Sequence, residues 1–260
     1  MSEEKKTRNR QRVALIILSI LLIIVGSGFF AYYLYNEYSA QKGQEEISSV
    51  ASSTTAAKID TIADNPIDFK TLQKKNSDIY AWINVPNTKV DYPVVQSPKS
   101  DEFYLKHGAL DKSWVASGAI YTELVNSTTF ADRVTVIYGH NGYSDTMFTT
   151  LHKFEKKEFF DSNEYFVIYT PTSKLTYKIV SAFKYDDRHI MKSFDFQNDT
   201  VFENFLDMIQ NPTSGNKNVR EIGRKLTTDD KVVVLSTCIT NQKSNRYLVC
   251  GVLEKNEKTY

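Results

Sequence analysis

The stretch from Lys231 to Leu253, KVVVLSTCITNQKSNRYLVCGVL, holds the residues whose types and spacing could do chemistry. Val232 to Leu235 is an unbroken aliphatic run, the pattern of a strand buried on both faces. Ile239 to Asn245 is mostly polar and ends that run, and Tyr247 to Leu253 is apolar again. Folded back as a strand pair, the segment puts Cys238 at the mouth of one strand and Arg246 at the start of the other. A thiol beside a fixed positive charge is one way to make a nucleophile, because the cation favours the thiolate. Side chains alternate along a strand, so Ser236 shares a face with Cys238, and its hydroxyl can bond a substrate or a developing oxyanion. The plain alternative is a buried structural cysteine. Against it stand the end of the apolar run at Ser236-Thr237 and the polar loop beyond, which leave the thiol reachable.

A thiol nucleophile needs a proton partner, and four histidines compete for that role. His152 lies among Lys153, Lys156 and Lys157 and reads as solvated. His189 sits in a charged loop after Asp186, Asp187 and Arg188, and His107 precedes a turn. His140 alone stands at the end of a buried-type strand (VTVIY, Val134 to Tyr138), framed by Gly139 and Gly142, and the pattern favours it. Arg246 can act as a fixed donor but not as a base. Its alternative reading is a surface residue at a strand start. No acidic residue is obviously paired with His140, so a Cys-His-Asp or Cys-His-Asn triad is not supported, and the papain and caspase signatures are absent.

The elements that must position these groups are short. Tyr80 to Val85 and Val90 to Val95 read as strands around Pro86-Asn87, and Gly118 to Tyr121 as another. Phe103 to His107 is a helical or irregular piece, and a short helix begins near Thr146 with Met147, Leu151 and Phe154 inward. Tyr165 to Tyr169 and Leu175 to Phe183 form a hairpin. Asn65 reads as an N-cap with Pro66 at the first helical position, and Phe69, Leu72 and Asn76 share one face. The clearest helix has Thr200-x-x-Glu203 as a capping box, with Phe202, Phe205, Leu206 and Ile209 on one stripe and Asn211-Pro212 as the stop. Roughly eight short strands with helices at their connections predict a mainly β chain closed into a small barrel.

The N-terminus sets the compartment. Val13 to Tyr35 holds no charged residue and is long enough to span a bilayer core of about 30 Å. Lys5, Lys6, Arg8, Arg10 and Arg12 precede it, whereas Glu37, Glu45 and Glu46 follow, which keeps the N-terminus in the cytoplasm. A cleaved secretory signal ranks second, because the run is long and no clean small-x-small site follows. The expected organisation is a basic cytoplasmic tail over 1–12, a single signal-anchor helix over 13–35, an extracytoplasmic stalk over 36–64 and a catalytic domain over 65–260. A net charge of +1 over 260 residues argues against nucleic-acid binding. Cys250, inside an apolar strand, falls too far along the ladder from Cys238 to form a disulfide and reads as a small buried hydrophobe. No Cys-x-x-Cys or paired-His spacing points to a metal, and no cofactor is implied.

Taken together, Thr237-Cys238 within LSTC, Arg246 eight residues on, and Tyr138-Gly139-His140-Asn141 resemble the sortases, class B in particular. The resemblance runs from about Asn65 to Leu253, and the N-terminal anchor, the helix before the first strand and the capped helix between late strands fit it. It implies a closed eight-stranded β-barrel with the N-terminal helix packed on it, and a cysteine transpeptidase on the outer face of a Gram-positive membrane. Cys238 would cut a C-terminal sorting-signal peptide after Thr and form a thioester. An amine of the peptidoglycan precursor would resolve it. His140 would carry the proton, and Arg246 would hold the substrate carbonyl or oxyanion. Ser236, Tyr138 and Thr237 match pocket positions. Asp91 matches a position where some class B members carry a substrate-contacting Asn. The segment from Phe183 to Phe196 would shape the pocket. Other readings remain: a pilin-polymerising sortase whose acceptor is a Lys, a cysteine endopeptidase that mainly hydrolyses, or an anchored binding module with a structural thiol.

Overall fold

The structure is a computed structural model and describes residues 2–51, 63–142 and 145–259. It divides into two units, residues 1–39 and 40–260. The first is the leading part of helix α1 (Ser2–Ala51), which exposes apolar side chains such as Leu22, Ile23 and Phe29 along its length. Within α1, Arg12–Val50 is long and apolar enough to cross a membrane, with a mean hydropathy of 2.8 over its most apolar window. In the second unit the last turns of α1 are part of the fold, since Ile47 and Val50 pack against the cluster around Leu72 and Trp82. Residues 52–62 of the expected stalk lie outside the described residues.

The second unit is built on a barrel. Its strands are β1 (Ile79–Asn84), β2 (Asp91–Val95), β3 (Ile120–Tyr121), β4 (Val134–Tyr138), β5 (Tyr165–Tyr169), β6 (Ser173–Asp186), β7 (Lys217–Val219), β8 (Val232–Ile239) and β9 (Gln242–Lys258). They pair in the order β5-β1-β2-β3-β4-β8-β9-β6, and β5 pairs again with β6 to close the ring. Among the described residues this makes the expected eight-stranded barrel, with β7 added on the outer side of β6. The β2–β3 and β4–β8 pairs are parallel.

Alternation sorts the side chains into layers. Val233, Leu235, Tyr247 and Val249 face the interior with Ile83, Val94, Phe148 and Phe166. Val232, Val234, Leu248 and Cys250 face outward beneath helix α5 (Asp199–Gln210). Helix α2 (Phe69–Lys75) covers another part of the wall through Phe69 and Leu72. The apolar stripe of Phe202, Phe205, Leu206 and Ile209 is buried as expected.

Both helix starts differ from the sequence reading. In α2 the cap is Asp68, which accepts from Thr71 N at 3.0 Å and from the Thr71 hydroxyl at 2.7 Å. Asn65 is drawn away to donate to Thr170 O at 2.9 Å. In α5 the cap is Asn198, whose side chain reaches Val201 N at 3.2 Å, so Thr200 lies inside the first turn. The helix expected from Thr146 is a 3-10 helix over Thr149–Glu155, followed by α3 (Lys157–Ser162). The expected polar loop from Ile239 to Asn245 shrinks to the turn Thr240-Asn241, where Asn241 takes φ 61°, a conformation asparagine tolerates well.

Candidate active site

Two strand registers build the site. In the antiparallel β8–β9 pair, Cys238 stands directly opposite Arg246, so the two side chains leave the same face with Cβ atoms about 5 Å apart. Arg246 also pairs with Tyr185 of β6, which extends the row to a third strand. In the parallel β4–β8 pair, Tyr138 stands opposite Ser236, and Gly139 N donates to Ser236 O at 3.1 Å. Two residues beyond this last pair come His140, in the segment that leaves β4, and Cys238, near the end of β8, and both line the same cleft. The last row therefore reads Cys238, Arg246, Tyr185, with His140 in the segment just past β4, and the row before it reads Tyr138, Ser236, Leu248. Both lie on the outer face of the barrel, past the edge of the layer that α5 covers, and open into a cleft of about 520 Å³.

The two cysteines differ sharply. Cys238 is exposed at the strand end, whereas Cys250, opposite Val234, is buried, and both thiols are free. Burial pushes the Cys250 thiol up to about 12, against a smaller lowering by the Ser181 hydroxyl. His140 is half-buried, and its Nε2 lies 2.9 Å from the carbonyl of Leu105. A carbonyl only accepts, so Nε2 carries the proton in the neutral ring and Nδ1 holds the lone pair. Arg246 Nη1 donates to Asn245 O at 3.0 Å, and the guanidinium lines the cleft.

The floor of the cleft is aromatic. Tyr121 and Tyr138 stack with centroids 5.5 Å apart. Burial, then the nearby Glu123 carboxylate, pushes both phenols well up, so both are neutral O–H donors at physiological pH. One wall comes from Asp101, Glu102 and Leu105, and the other from the segment after β6 with Arg188, His189 and Lys192. This second wall is the Phe183 to Phe196 segment singled out in the sequence. His189 Nε2 donates to Glu123 Oε1 at 2.7 Å and ties this second wall to the segment after β3, beside the floor.

Of the sequence-derived residues, the structure brings Cys238, His140, Arg246, Ser236, Tyr138 and Thr237 to one cleft. Thr237 borders it, but alternation turns its side chain to the interior, beside Tyr247. Asp91 is a correction: it is not a cleft residue. It lies at the far end of β2 from Val95, the residue that pairs with Tyr121, a separation of about 13 Å along the strand. Its carboxylate instead accepts from Trp82 Nε1 at 2.7 Å and Asn84 Nδ2 at 3.1 Å.

His152 also departs from its reading as a solvated residue. Its Nε2 lies 3.0 Å from the Cys238 carbonyl, which Asn141 Nδ2 also reaches at 3.0 Å. Sequence reasoning names Asn141 only as part of the Tyr138-Gly139-His140-Asn141 motif, without a role, and misses Glu123. Asn141 carries a usable signal, since it directly follows His140 at a strand exit. Glu123 carries none, because its role depends on a loop more than sixty residues away.

The sortase domain family matches residues 83–254. Sortase B of Listeria monocytogenes is 28% identical over 188 residues, covering 72% of this chain and 74% of that protein. The solved structure of sortase B from Bacillus anthracis in complex with AAEK1 matches with a TM-score of 0.71 at 26% identity, over 85% of this chain and 99% of that one. Clostridium perfringens sortase B matches with a TM-score of 0.63 at 29% identity, over 72% and 99%. A free thiol on a strand end of a closed barrel is thus accounted for by descent as well as by geometry: the chain belongs to the sortase family, class B, and is a cysteine transpeptidase.

Proposed function

We propose that this enzyme is held to the outer face of a Gram-positive membrane by the helix over 13–35, with 1–12 in the cytoplasm, 65–260 as the catalytic domain and 36–64 connecting the two, its turns at Ile47 and Val50 packed on the domain. It cuts the sorting signal of a secreted protein after Thr and transfers that protein to an amine of the cell-wall precursor. The observation that carries the reading is that Cys238 and Arg246, direct cross-strand partners, line one open cleft with His140. The anchoring part draws on the apolar exposure of α1, which no soluble surface would sustain over such a length.

The chemistry divides into two halves. The Cys238 thiol passes its proton to His140 Nδ1, the sulfur attacks the Thr carbonyl carbon, and the charge that develops on oxygen is met by the Arg246 guanidinium. The C–N bond breaks as His140 gives the leaving amine a proton from Nδ1, and a thioester remains. The incoming amine then attacks, His140 takes its proton back, and the C–S bond breaks to free the thiolate. Keeping Nε2 on the Leu105 carbonyl fixes which nitrogen exchanges protons. Tyr138 and Ser236 would contact the peptide through their side chains and Thr237 through its main chain.

The test is mass spectrometry of the protein after incubation with a sorting-type peptide. A thioester on Cys238 that passes to an added amine supports the reading. Release of free acid alone, with amine present, points to an endopeptidase. Transfer only to a lysine of another protein subunit points to pilin assembly, and absence of any adduct leaves a binding module.

A further inference from the structure

The wall of the cleft after β6 has few holds on the rest of the domain. It contains the short helix α4 (Ile190–Ser193) and runs on to Phe194. From Asp187 to Ser193 its hydrogen bonds among the described residues are local, save one. Arg188 Nε donates to Asp186 Oδ1 at 2.8 Å, and Lys192 N and Ser193 N donate to His189 O at 3.0 and 2.9 Å. The exception is His189 Nε2 on Glu123 Oε1, at 2.7 Å. His189 Nδ1 is buried without a partner, so this bond is what holds the ring. Ile190, buried in the cluster under α5, is the apolar anchor beside it. The His189 carbonyl receives the first turn of α4, so the place of His189 sets where that turn begins.

Glu123 is the fixed end of the pair. Gln96 Nε2, just past β2, donates to Glu123 O and to Asn126 O, both at 2.8 Å. Thr122 N donates to Val95 O at 3.0 Å, and Leu124 N to Asp101 Oδ1 at 2.7 Å. The main chain of Glu123 is thus pinned on both sides to the edge of the barrel. Its side chain is 11% exposed, against 31% for His189, so the carboxylate lies deeper than the ring that serves it. A carboxylate so buried needs a donor. It accepts from Nε2 whether the ring is neutral or charged, so the tie does not turn on the titration of His189.

We propose that Glu123 is a positioning residue for the peptide: through His189 it holds the wall over 187–193 against the barrel, and so sets the affinity of the cleft. Arg188 and Lys192 flank His189 along this wall, and all three line the cleft. A wall already in place when the peptide arrives does not have to be ordered by it, which strengthens binding without touching the chemical steps. The inference rests on the peptide of the proposed reaction lying in this cleft.

The experiment uses the full chain in detergent, as wild type, Glu123→Gln, Glu123→Ala, His189→Ala and the double alanine variant. Glutamine keeps an oxygen that accepts from Nε2, and alanine does not. Backbone amide hydrogen exchange over 187–194 should quicken about tenfold or more in Glu123→Ala and stay near wild type in Glu123→Gln. For a peptide that forms the thioester on wild-type Cys238, KM should rise about fivefold or more in Glu123→Ala, with kcat within about twofold. The double variant should raise KM no further than either single change, because both remove the same bond. Unmoved exchange in Glu123→Ala overturns the inference, as does a Glu123→Gln chain as impaired as Glu123→Ala. A lowered melting temperature with wild-type exchange and KM assigns the pair a purely structural role and overturns it too. Exchange reports on the wall whatever the enzyme catalyses. A wild-type chain that forms no thioester would therefore remove the proposed function by a separate route.

Discussion

Tyr138 and Ser236 are direct partners across the parallel β4–β8 pair, and His140, two residues past Tyr138 in the segment leaving β4, lines the same cleft as Cys238. Gly139 is the residue between. A Cβ there would sit 2.5 Å from Ile120 Cδ1 and 2.6 Å from the Phe148 ring, both inside the barrel. Gly139→Ala must therefore push either the core or the strand exit. Overpacking of this kind costs about 1–3 kcal/mol. We expect a melting temperature several degrees lower and turnover reduced by about tenfold or more, since the displaced segment carries His140. Thermal melts and peptide turnover check this together, and wild-type values in both would show that the close approach is not needed.

Arg246 faces Cys238 from β9 as a planar donor. A lysine in its place keeps the charge and loses the fork. Arg246→Lys should lower kcat by about a hundredfold, the scale seen when one oxyanion donor is lost. The melting temperature should hardly move, because the side chain is only half-buried. Wild-type turnover would remove the guanidinium from the reaction.

Labelling separates the two thiols. Burial raises Cys250 to about 12, so it stays protonated through the whole working range, and Cys238 lies open at the strand end. Alkylation of the native protein at about pH 8 should give one adduct, on Cys238, and unfolding should release the second. The sign for stability follows. A raised native value means that this contribution is intact below the unfolded thiol value of about 8.5 and is lost as pH climbs towards 12, at up to about 1.4 kcal/mol per unit. Equal labelling of both thiols in the native state would contradict the buried position of Cys250.

Much of this was legible before folding. The aliphatic run before Ser236 and the return at Tyr247 are enough to set Cys238 against Arg246, because a hairpin is a local object. The stripe of Phe202, Phe205, Leu206 and Ile209 is equally local. The partnership of β4 with β8 is not, since it joins segments about a hundred residues apart in a parallel pair that no turn announces. Its strand-end position favours His140 without giving the reason that holds it there. His152 was misread because three nearby lysines look like a solvated face, whereas the ring turns the other way, onto the Cys238 carbonyl. The helix caps failed for a smaller reason: each start offers two competent capping side chains within three residues, and only the path of the chain chooses between them.

Asp91 shows how a matched position can differ in what it does. Its carboxylate accepts from the indole of Trp82, a side chain 1% exposed, and from Asn84. Removing it leaves a buried N–H without its acceptor, at a cost of about 1–3 kcal/mol. Asp91→Ala should therefore lower the urea midpoint of the domain and leave kcat/KM for a sorting peptide within about twofold of wild type. Asp91→Asn should recover part of the stability, since its amide oxygen can still accept from the indole. The two measurements point in opposite directions under the two readings. A KM raised by tenfold or more with an unchanged urea midpoint would return Asp91 to the peptide pocket.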